Sequence, residues 1–430
     1  MRLVYSALIL IFMTTSTLAK DEWTVTTLDN GLKVMIREYH QVPQVNISTT
    51  VKVGAKNETA FYDGATHLLE HLILFRGTEK MSGEEVAEAM KKHGAYFNGY
   101  TSQDWTDFVI SLPCEHLEFA LSIHSDMLFR SNFSSEAMDE ERQAVLEEIN
   151  ISEDRPQSKV YRTMLGQLFK GHPYEKNVLG TKERVSNVPR DSVYTYYKRY
   201  YAPNNMTMVI VGDLDAASTL KLVKKYFDSF PRGELPVDQY HPPQPLHEIS
   251  RLEIKKDVNQ AYLQIGMVGP KSDSPDQYAV DLMATILGSG ETSRLWKRLK
   301  DELGIVYSAS FEFYTSKYEG PVVASAVLEP KNLALAEEKI REILVAAKAD
   351  GFTEEELRKA KNSIKTRYYI NHERGLDMAD SFAQYDSFIG YEFIQNYPEM
   401  IEKTSLAEVN AAARRYLNTD YYTVTTVVPQ

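Results

Sequence analysis

The sequence predicts an α+β fold made of two copies of one domain, each a mostly antiparallel sheet with helices packed on one face. Three observations carry that expectation. The chain has 430 residues, more than one core of ordinary size accommodates. A repeat joins its halves: RYYAPNNMTMVIVGD begins at Arg199 and RYLNTDYYTVTTVVP at Arg415, an offset of 415 − 199 = 216 residues. Strand-like and helix-like stretches also mix without a regular βαβ rhythm.

In each copy a helix ends at Arg-Tyr, a turn follows, and a β-branched strand closes the unit. The upstream helices correspond as well, SNVPRDSVYTYYK at 186–198 with EKTSLAEVNAAAR at 402–414. A period of half the chain means a duplicated domain, not a solenoid of short repeats. Residues 231–247, PRGELPVDQYHPPQPLH, hold five prolines and no hydrophobic period. The linker is placed there, between a first domain at 22–230 and a second at 248–430.

Within the first domain, WTVTTLDNGLKVMIREY (23–39) reads as a hairpin turning at Asn30-Gly31. Residues 45–53, VNISTTVKV, alternate as a strand, and a helix follows from about Asp63 to Leu74. Ser82 opens another helix with Glu85 at the capping-box position, ending near Gly94. TDFVISLP (106–113) is again a strand, and a helix opens after Ser134-Ser135.

Composition is that of a globular protein, 43% hydrophobic and 25% charged. A net charge of −12 argues against nucleic acid, which demands clustered Lys and Arg. Met1-Arg2, an apolar stretch from Leu3 to Met13 and Thr17-Leu18-Ala19 read as an export signal over residues 1–19. That stretch is too short for an ordinary membrane span, and no other apolar run approaches spanning length, so the mature chain is expected to have none. Cys114 is the only cysteine, so no intramolecular disulfide forms. Export without disulfides points to a bacterial periplasm.

The strongest chemical signal is His67-Leu-Leu-Glu70-His71. On a helix the two imidazoles, four residues apart, point the same way and can hold one Zn²⁺, with Glu70 beside it. This is the H-x-x-E-H order, the mirror of H-E-x-x-H. A catalytic zinc usually has three protein ligands and one open position. The helix EAMDEERQAVLEEINIS (136–152) carries five glutamates. Ala137, Met138, Ala144, Val145 and Ile149 mark its apolar face, Glu141 and Glu148 fall inside that arc, and Glu136, Glu140 and Glu147 fall outside it. Two carboxylates on a core face need a cation or strong donors. Glu148 is therefore the expected third ligand and Glu141 the carboxylate that orients another ligand; a helix edge with snorkelling glutamates is the alternative. No G-x-S-x-G elbow or P-loop is present, GSGE at 288–291 reads as a helix-ending turn, and His93, His116 and His124 are scattered.

GATHLLEHLILFRGTEK, HGAYFNGYTSQDWTDFVI and EERQAVLEEI together resemble the pitrilysin/insulinase family of zinc peptidases (inverzincins), in particular its mitochondrial-processing-peptidase-like bacterial branch. The family pattern has a third glutamate ligand some seventy-odd residues after the pentad, and here 148 − 71 = 77. The resemblance implies zinc on His67, His71 and Glu148, with Glu70 as the general base. It implies a second carboxylate at Glu141 and a peptide lying along a sheet edge at Asn98-Gly99-Tyr100-Thr101. It also implies two domains facing each other across a chamber that admits unfolded peptides.

One position departs from the family. Members complete in one chain supply an Arg and a Tyr from the second domain, and in SRLWKRLKDELGIVYS (293–308) Tyr307 matches while Lys300 holds the Arg position. Arg298 lies two residues earlier. Lysine keeps the charge and loses the bidentate fork. The expected activity is therefore zinc endopeptidase or oligopeptidase, with Tyr307 and either Lys300 or a partner's arginine as oxyanion donors, and Arg298 as a substrate-binding residue or the replacement for the family arginine. Homodimer and heterodimer with a related subunit are both open. A zinc-bearing subunit or a non-catalytic adaptor is the alternative.

Overall fold

A computed structural model describes residues 23–59 and 61–430; the expected export segment at residues 1–19 lies outside the described residues. The first half runs β1 (Thr24–Thr27), β2 (Lys33–Glu38), β3 (Gln44–Val51), α1 (Ala65–Phe75), α2 (Gly83–Lys92), β4 (Tyr96–Thr101) and β5 (Thr106–Pro113). It continues with α3 (Leu117–Phe129), α4 (Ser135–Asp154), α5 (Pro156–Leu168), α6 (Lys182–Asn187), α7 (Arg190–Tyr200), β6 (Met206–Gly212) and α8 (Ala216–Phe227). The second half runs β7 (Ser250–Lys256), β8 (Ala261–Val268), α9 (Gln277–Gly288), a π-helical turn (Trp296–Glu302), β9 (Val306–Phe313) and β10 (Pro321–Leu328). It ends with α10 (Leu333–Asp350), α11 (Glu354–Asn371), α12 (Gly375–Phe388), α13 (Tyr391–Lys403), α14 (Leu406–Tyr416) and β11 (Thr423–Pro429). Residues 231–246 contain neither helix nor strand.

The sheets have orders β1-β2-β6-β3-β5-β4 and β7-β11-β8-β10-β9. Among the described strands only β2 with β6 and β7 with β11 pair in parallel. The two orders superpose strand for strand from β2 and β7 onward, so the duplication read from the Arg-Tyr repeat is a duplication of topology. The hairpin turns at Asn30-Gly31 because Gly31 takes φ 91°, a left-handed conformation that glycine adopts without a Cβ clash. Ser82 and Glu85 form the reciprocal cap at the start of α2. The helix expected at 186–198 is two helices, since Pro189 has no N–H to donate and α7 starts only after it. Its counterpart expected at 402–414 begins at Leu406, capped by Ser405.

Alternation along the strands sorts each sheet into two faces. Val45, Ile47, Phe108, Ile110, Met208 and Ile210 turn to one side and pack under α1, α3, α4, α7 and α8. Asn46, Ser48, Thr50, Asp107 and Thr207 turn to the other and are buried too. That second face is covered by α12, which arrives from the other half of the chain. Met378, Ala379, Phe382 and Ala383 of α12 pack on Met35, Val209 and Val211. The exchange is mutual, because α5 of the first half covers the second sheet through Met164, Leu168 and Phe169 against Val323. The expected helical layer on one face is thus present, and the opposite face holds a helix lent by the other copy.

Polar groups lock this exchange. Lys33 Nζ donates to Asp386 at 2.5 Å and Thr207 Oγ1 to the same carboxylate at 2.8 Å, tying α12 to β2 and β6. Between the halves, Asp104 accepts the Tyr174 hydroxyl at 2.8 Å and the Lys317 N–H at 2.9 Å, while Lys56 Nζ donates to its carbonyl at 2.9 Å. Asp107 accepts from Ser48 Oγ at 2.9 Å and Thr50 Oγ1 at 2.7 Å.

Asp380 of α12 faces the Asp107 carboxylate. Burial and that neighbouring charge push its pKa from 3.8 up to about 9. Its proton favours the folded state fully below pH 3.8, and that contribution is lost as pH rises through about 9. Asp380→Asn, which keeps a donor toward Asp107 without a titrating proton, should flatten the fall in melting temperature between neutral pH and about 9. An unchanged slope in thermal denaturation across that range would remove Asp380 as its source.

Candidate metal centre

The site is built on α1, whose sequence ATHLLEHLILF is buried along nearly its whole length. Its N-terminus lacks a side-chain cap from the adjacent residue. The buried Glu58 carboxylate does that work, accepting the Gly64 and Thr66 N–H groups at 2.8 Å each. His67 and His71 project from one side, ring centroids 4.7 Å apart. Phe75, one turn further, sets its ring edge-on to His71 at 5.6 Å.

Helix α4 lies across α1 and brings the third group. Glu148 Oε2 is 3.5 Å from His67 Nε2 and 3.4 Å from His71 Nε2. Donors each about 2.1 Å from one tetrahedral ion stand about 3.4 Å apart, so these atoms are spaced as ligands of a single cation. No other group of three His, Cys, Asp or Glu among the described residues converges in this way. Glu148 is about half exposed, which leaves one side of the cluster open for a further ligand.

Glu141, two turns before Glu148, is buried. It accepts His71 Nδ1–H at 2.8 Å and Arg76 Nε–H at 2.5 Å, while Arg76 also pairs with Glu140. The bond fixes the tautomer of His71 and turns its Nε2 toward Glu148. His67 Nδ1 has no comparable partner. Of the residues placed on the apolar arc of α4, Ala137, Met138, Glu141, Val145 and Ile149 are buried, whereas Ala144 is exposed.

Burial and the charge of His71 lower the His67 pKa to about 4. At His71 burial also disfavours the cation, but hydrogen bonds to Glu141 and Glu148 outweigh it and raise the pKa to about 9. The hydrogen bond from His71 in turn lowers the pKa of Glu148. Negative charge therefore converges on the point between the two Nε2 atoms, which favours a cation there. The donor set fits Zn²⁺: two imidazoles and one carboxylate with an open fourth direction.

Glu70, between the two imidazoles in sequence, faces β4 instead of α4. Thr101 Oγ1 donates to Glu70 Oε2 at 2.6 Å. Burial lifts its pKa to about 7 against that hydrogen bond. Gly99 makes the approach possible, because a Cβ there would lie 2.7 Å from Leu74 Cδ1 and 2.9 Å from Glu70 Cγ. Asn98, Gly99, Tyr100 and Thr101 all lie on β4, the edge strand of the first sheet. Asn98 Nδ2 donates to the hydroxyls of Tyr96 and Tyr100 at 3.3 and 3.2 Å.

The three second-half residues lie on two neighbouring elements of that half. Lys300 and Arg298 sit on the π-helical turn, where Arg298 pairs with Glu302 at 2.7 Å. Tyr307 lies on β9, itself an edge strand, with about half its surface exposed. Among the described residues no hydrogen bond or ion pair joins any of the three to His67, Glu70, His71 or Glu148. Sequence reasoning missed Arg76 and Glu58, both of which act on α1 from beyond the pentad. Arg76, five residues past His71, was a signal available but unused. His124 is a core residue, bonded to Thr49 Oγ1 at 2.8 Å.

Residues 33–182 match the model of the insulinase family, peptidase family M16, and residues 187–364 that of the peptidase M16 inactive domain. The chain belongs to this family of peptidases. It is 28% identical over 403 residues to an uncharacterized zinc protease of Mycobacterium leprae, covering 92% of this chain and 89% of that one. It is 27% identical over 402 residues to another of Bacillus subtilis, covering 92% and 96%. Its fold is shared with a protease from Helicobacter pylori (TM-score 0.89, 24% identity, 95% of this chain and all of that one). It is also shared with the first half of the periplasmic protease PqqL from Escherichia coli (TM-score 0.76, 22% identity, 95% and 92%).

Two substitutions probe the site. Glu141→Gln should weaken metal affinity by about 10–100-fold, because His71 loses its charged acceptor; unchanged affinity in a chelator competition would dismiss that role. Gly99→Ala should cost about 1–3 kcal/mol of stability, since Leu74 and Glu70 must move. Denaturant unfolding that matches the parent would show that the β4–α1 contact is slack.

Proposed function

We propose that this protein is a zinc-dependent endopeptidase or oligopeptidase acting on unfolded peptides. One observation carries the reading: two imidazoles and a carboxylate converge beside a buried glutamate that is tied to an open edge strand. A zinc ion held by His67, His71 and Glu148 supplies Lewis acidity toward the scissile carbonyl and acidifies a water. Glu70 takes the proton of the attacking water and returns it to the leaving amine. A pKa near 7 suits both halves of that transfer. Thr101 holds the Glu70 carboxylate, and Glu141 holds His71. The outer edge of β4 offers unpaired N–H and C=O groups to an extended peptide, so folded proteins are poor substrates.

That Tyr307, Lys300 and Arg298 make no hydrogen bond or ion pair with this cluster among the described residues supports an assembly in which a second chain supplies oxyanion donors. A homodimer would place one copy's β9 and π-helical turn over the other's metal centre, and two such copies would enclose a chamber. A heterodimer with a related subunit, or an adaptor without activity of its own, is the second reading, supported by the lysine at position 300. No helix among the described residues is long and apolar enough to cross a membrane. The segment at residues 1–19 supports export to the periplasm.

Glu70→Gln is the deciding variant. Metal content should stay near one zinc per chain while cleavage of an unstructured peptide falls by about 10²–10⁴-fold or more. Activity within tenfold of the parent would rule out Glu70 as the base. Activity that appears only on mixing with a related subunit would select the heterodimer.

A further inference from the structure

The second half contains a cavity of about 380 Å³ between α9, β9, α11, α12 and α13. Strand register identifies its position. In the first sheet Thr49 pairs with Met208 and with Phe108, and Phe108 with Gly99. In the second, Ile265 pairs with Val424 and with Ala324, and Ala324 with Phe311. The Arg-Tyr repeat aligns Met208 with Val424, so Phe311 occupies the place of Gly99. Gly99 presses on Leu74 of α1, and Phe311 presses on Gly288 of α9, where a Cβ would lie 1.9 Å from the Phe311 nitrogen. Bulk has changed sides across the same contact.

Counting back three, four and seven residues from that contact gives His71, Glu70 and His67 on α1. On α9 the same steps give Thr285, Ala284 and Asp281. Glu148 stands fourteen residues past the N-cap Ser134 of α4, and Arg367 fourteen past the N-cap Thr353 of α11. Asp281, Ala284, Thr285 and Arg367 all line the cavity. It is therefore the duplicate of the metal centre, with both imidazoles and the general base replaced. The new set cannot reproduce a two-histidine zinc site, but it carries a carboxyl group and a guanidinium that no hydrogen bond or ion pair joins among the described residues. Asp281 accepts only the Tyr397 hydroxyl, at 2.8 Å, and burial raises its pKa to about 7. Arg367 is exposed at the rim and has no hydrogen bond or ion pair among the described residues. Phe311, Tyr368 and Tyr385 supply aromatic wall.

We propose that this cavity binds a small amphoteric molecule, a free amino acid or a dipeptide with an apolar side chain, its ammonium on Asp281 and its carboxylate on Arg367. The volume lies in the range of small-molecule sites. A planar guanidinium is the cation suited to a carboxylate, and an aromatic wall suits both the ammonium and the apolar side chain. The site is independent of metal and of catalysis.

The test is calorimetric titration of the full chain, chelated to empty the metal centre, with phenylalanine and with phenylalanyl-alanine. Saturable binding at one site per chain is expected, at least about tenfold weaker for N-acetylphenylalanine and for phenylalaninamide. Asp281→Asn and Arg367→Ala should each weaken it by a similar factor. Arg367 is a surface residue, so its variant keeps the test valid if Asp281→Asn does not fold. Binding of phenylalanine identifies a free amino acid as the ligand, and binding of the dipeptide alone identifies a peptide product. No saturable binding of either, binding that disappears on chelation, or binding indifferent to both variants would overturn the proposal.

Discussion

The buried carboxylate of Glu141 is the interaction on which the first half's chemistry depends. Helix α1 carries both imidazoles and α4 carries the carboxylate that faces them, and nothing within either helix fixes their relative rotation. Glu141 does so by accepting from His71 and Arg76 of α1 at once. A buried carboxylate left without donors is costly, so this contact is enforced by desolvation as well as by attraction. Once it forms, Glu148, two turns along the same helix, can only fall opposite the two Nε2 atoms. The register of two helices thus becomes the geometry of three donors.

The other constraint acts from the sheet. Glu70 is positioned by β4 through Thr101 and through the space that Gly99 leaves. That strand is the outer edge of the first sheet, and its far side carries no further strand among the described residues. The edge is held from above by α1, through Glu70 and Leu74, while α12 lies beneath the inner strands β3, β5 and β6. By covering the polar face around Asp107, α12 buries the central strands β3, β5 and β6 on both faces, while β1 and β4 at the margins stay partly exposed. The exchange of α5 for α12 between the halves therefore gives each sheet a second supporting layer that neither half possesses alone.

Much of this was legible in the sequence, for identifiable reasons. The hairpin at Asn30-Gly31, the cap at Ser82 and the strand at 106–113 are set by local backbone chemistry, and local chemistry is written locally. The helical wheel of α4 separated Glu141 and Glu148 from three wet glutamates because burial repeats with the helix period. It did not show how unequal their surroundings are: Glu141 is buried under Arg76, and Glu148 is about half exposed beside the two imidazoles. Nor could periodicity reveal that α12 covers the first sheet. An apolar stripe states that a face is buried and not what buries it, and the polar side chains of Asn46, Ser48 and Thr50 carry no local sign that another half's helix covers them. The helix-like pattern runs through Pro189, but the missing N–H there ends one helix and starts α7.

The duplication makes the argument about function sharper than either copy would alone. Both halves keep the same strand order, the same helix packed on the same edge strand, and a tight contact at the same place. The residues that distinguish the candidate metal centre of the first half are confined to positions three, four and seven residues before that contact and fourteen residues past one helix cap. Changing those four side chains to Thr285, Ala284, Asp281 and Arg367 leaves the backbone frame standing and alters what it can hold. Fold and chemistry are therefore carried by separable residues: the alternating apolar positions specify the frame, and a handful of side chains facing one cleft set the chemical groups it presents.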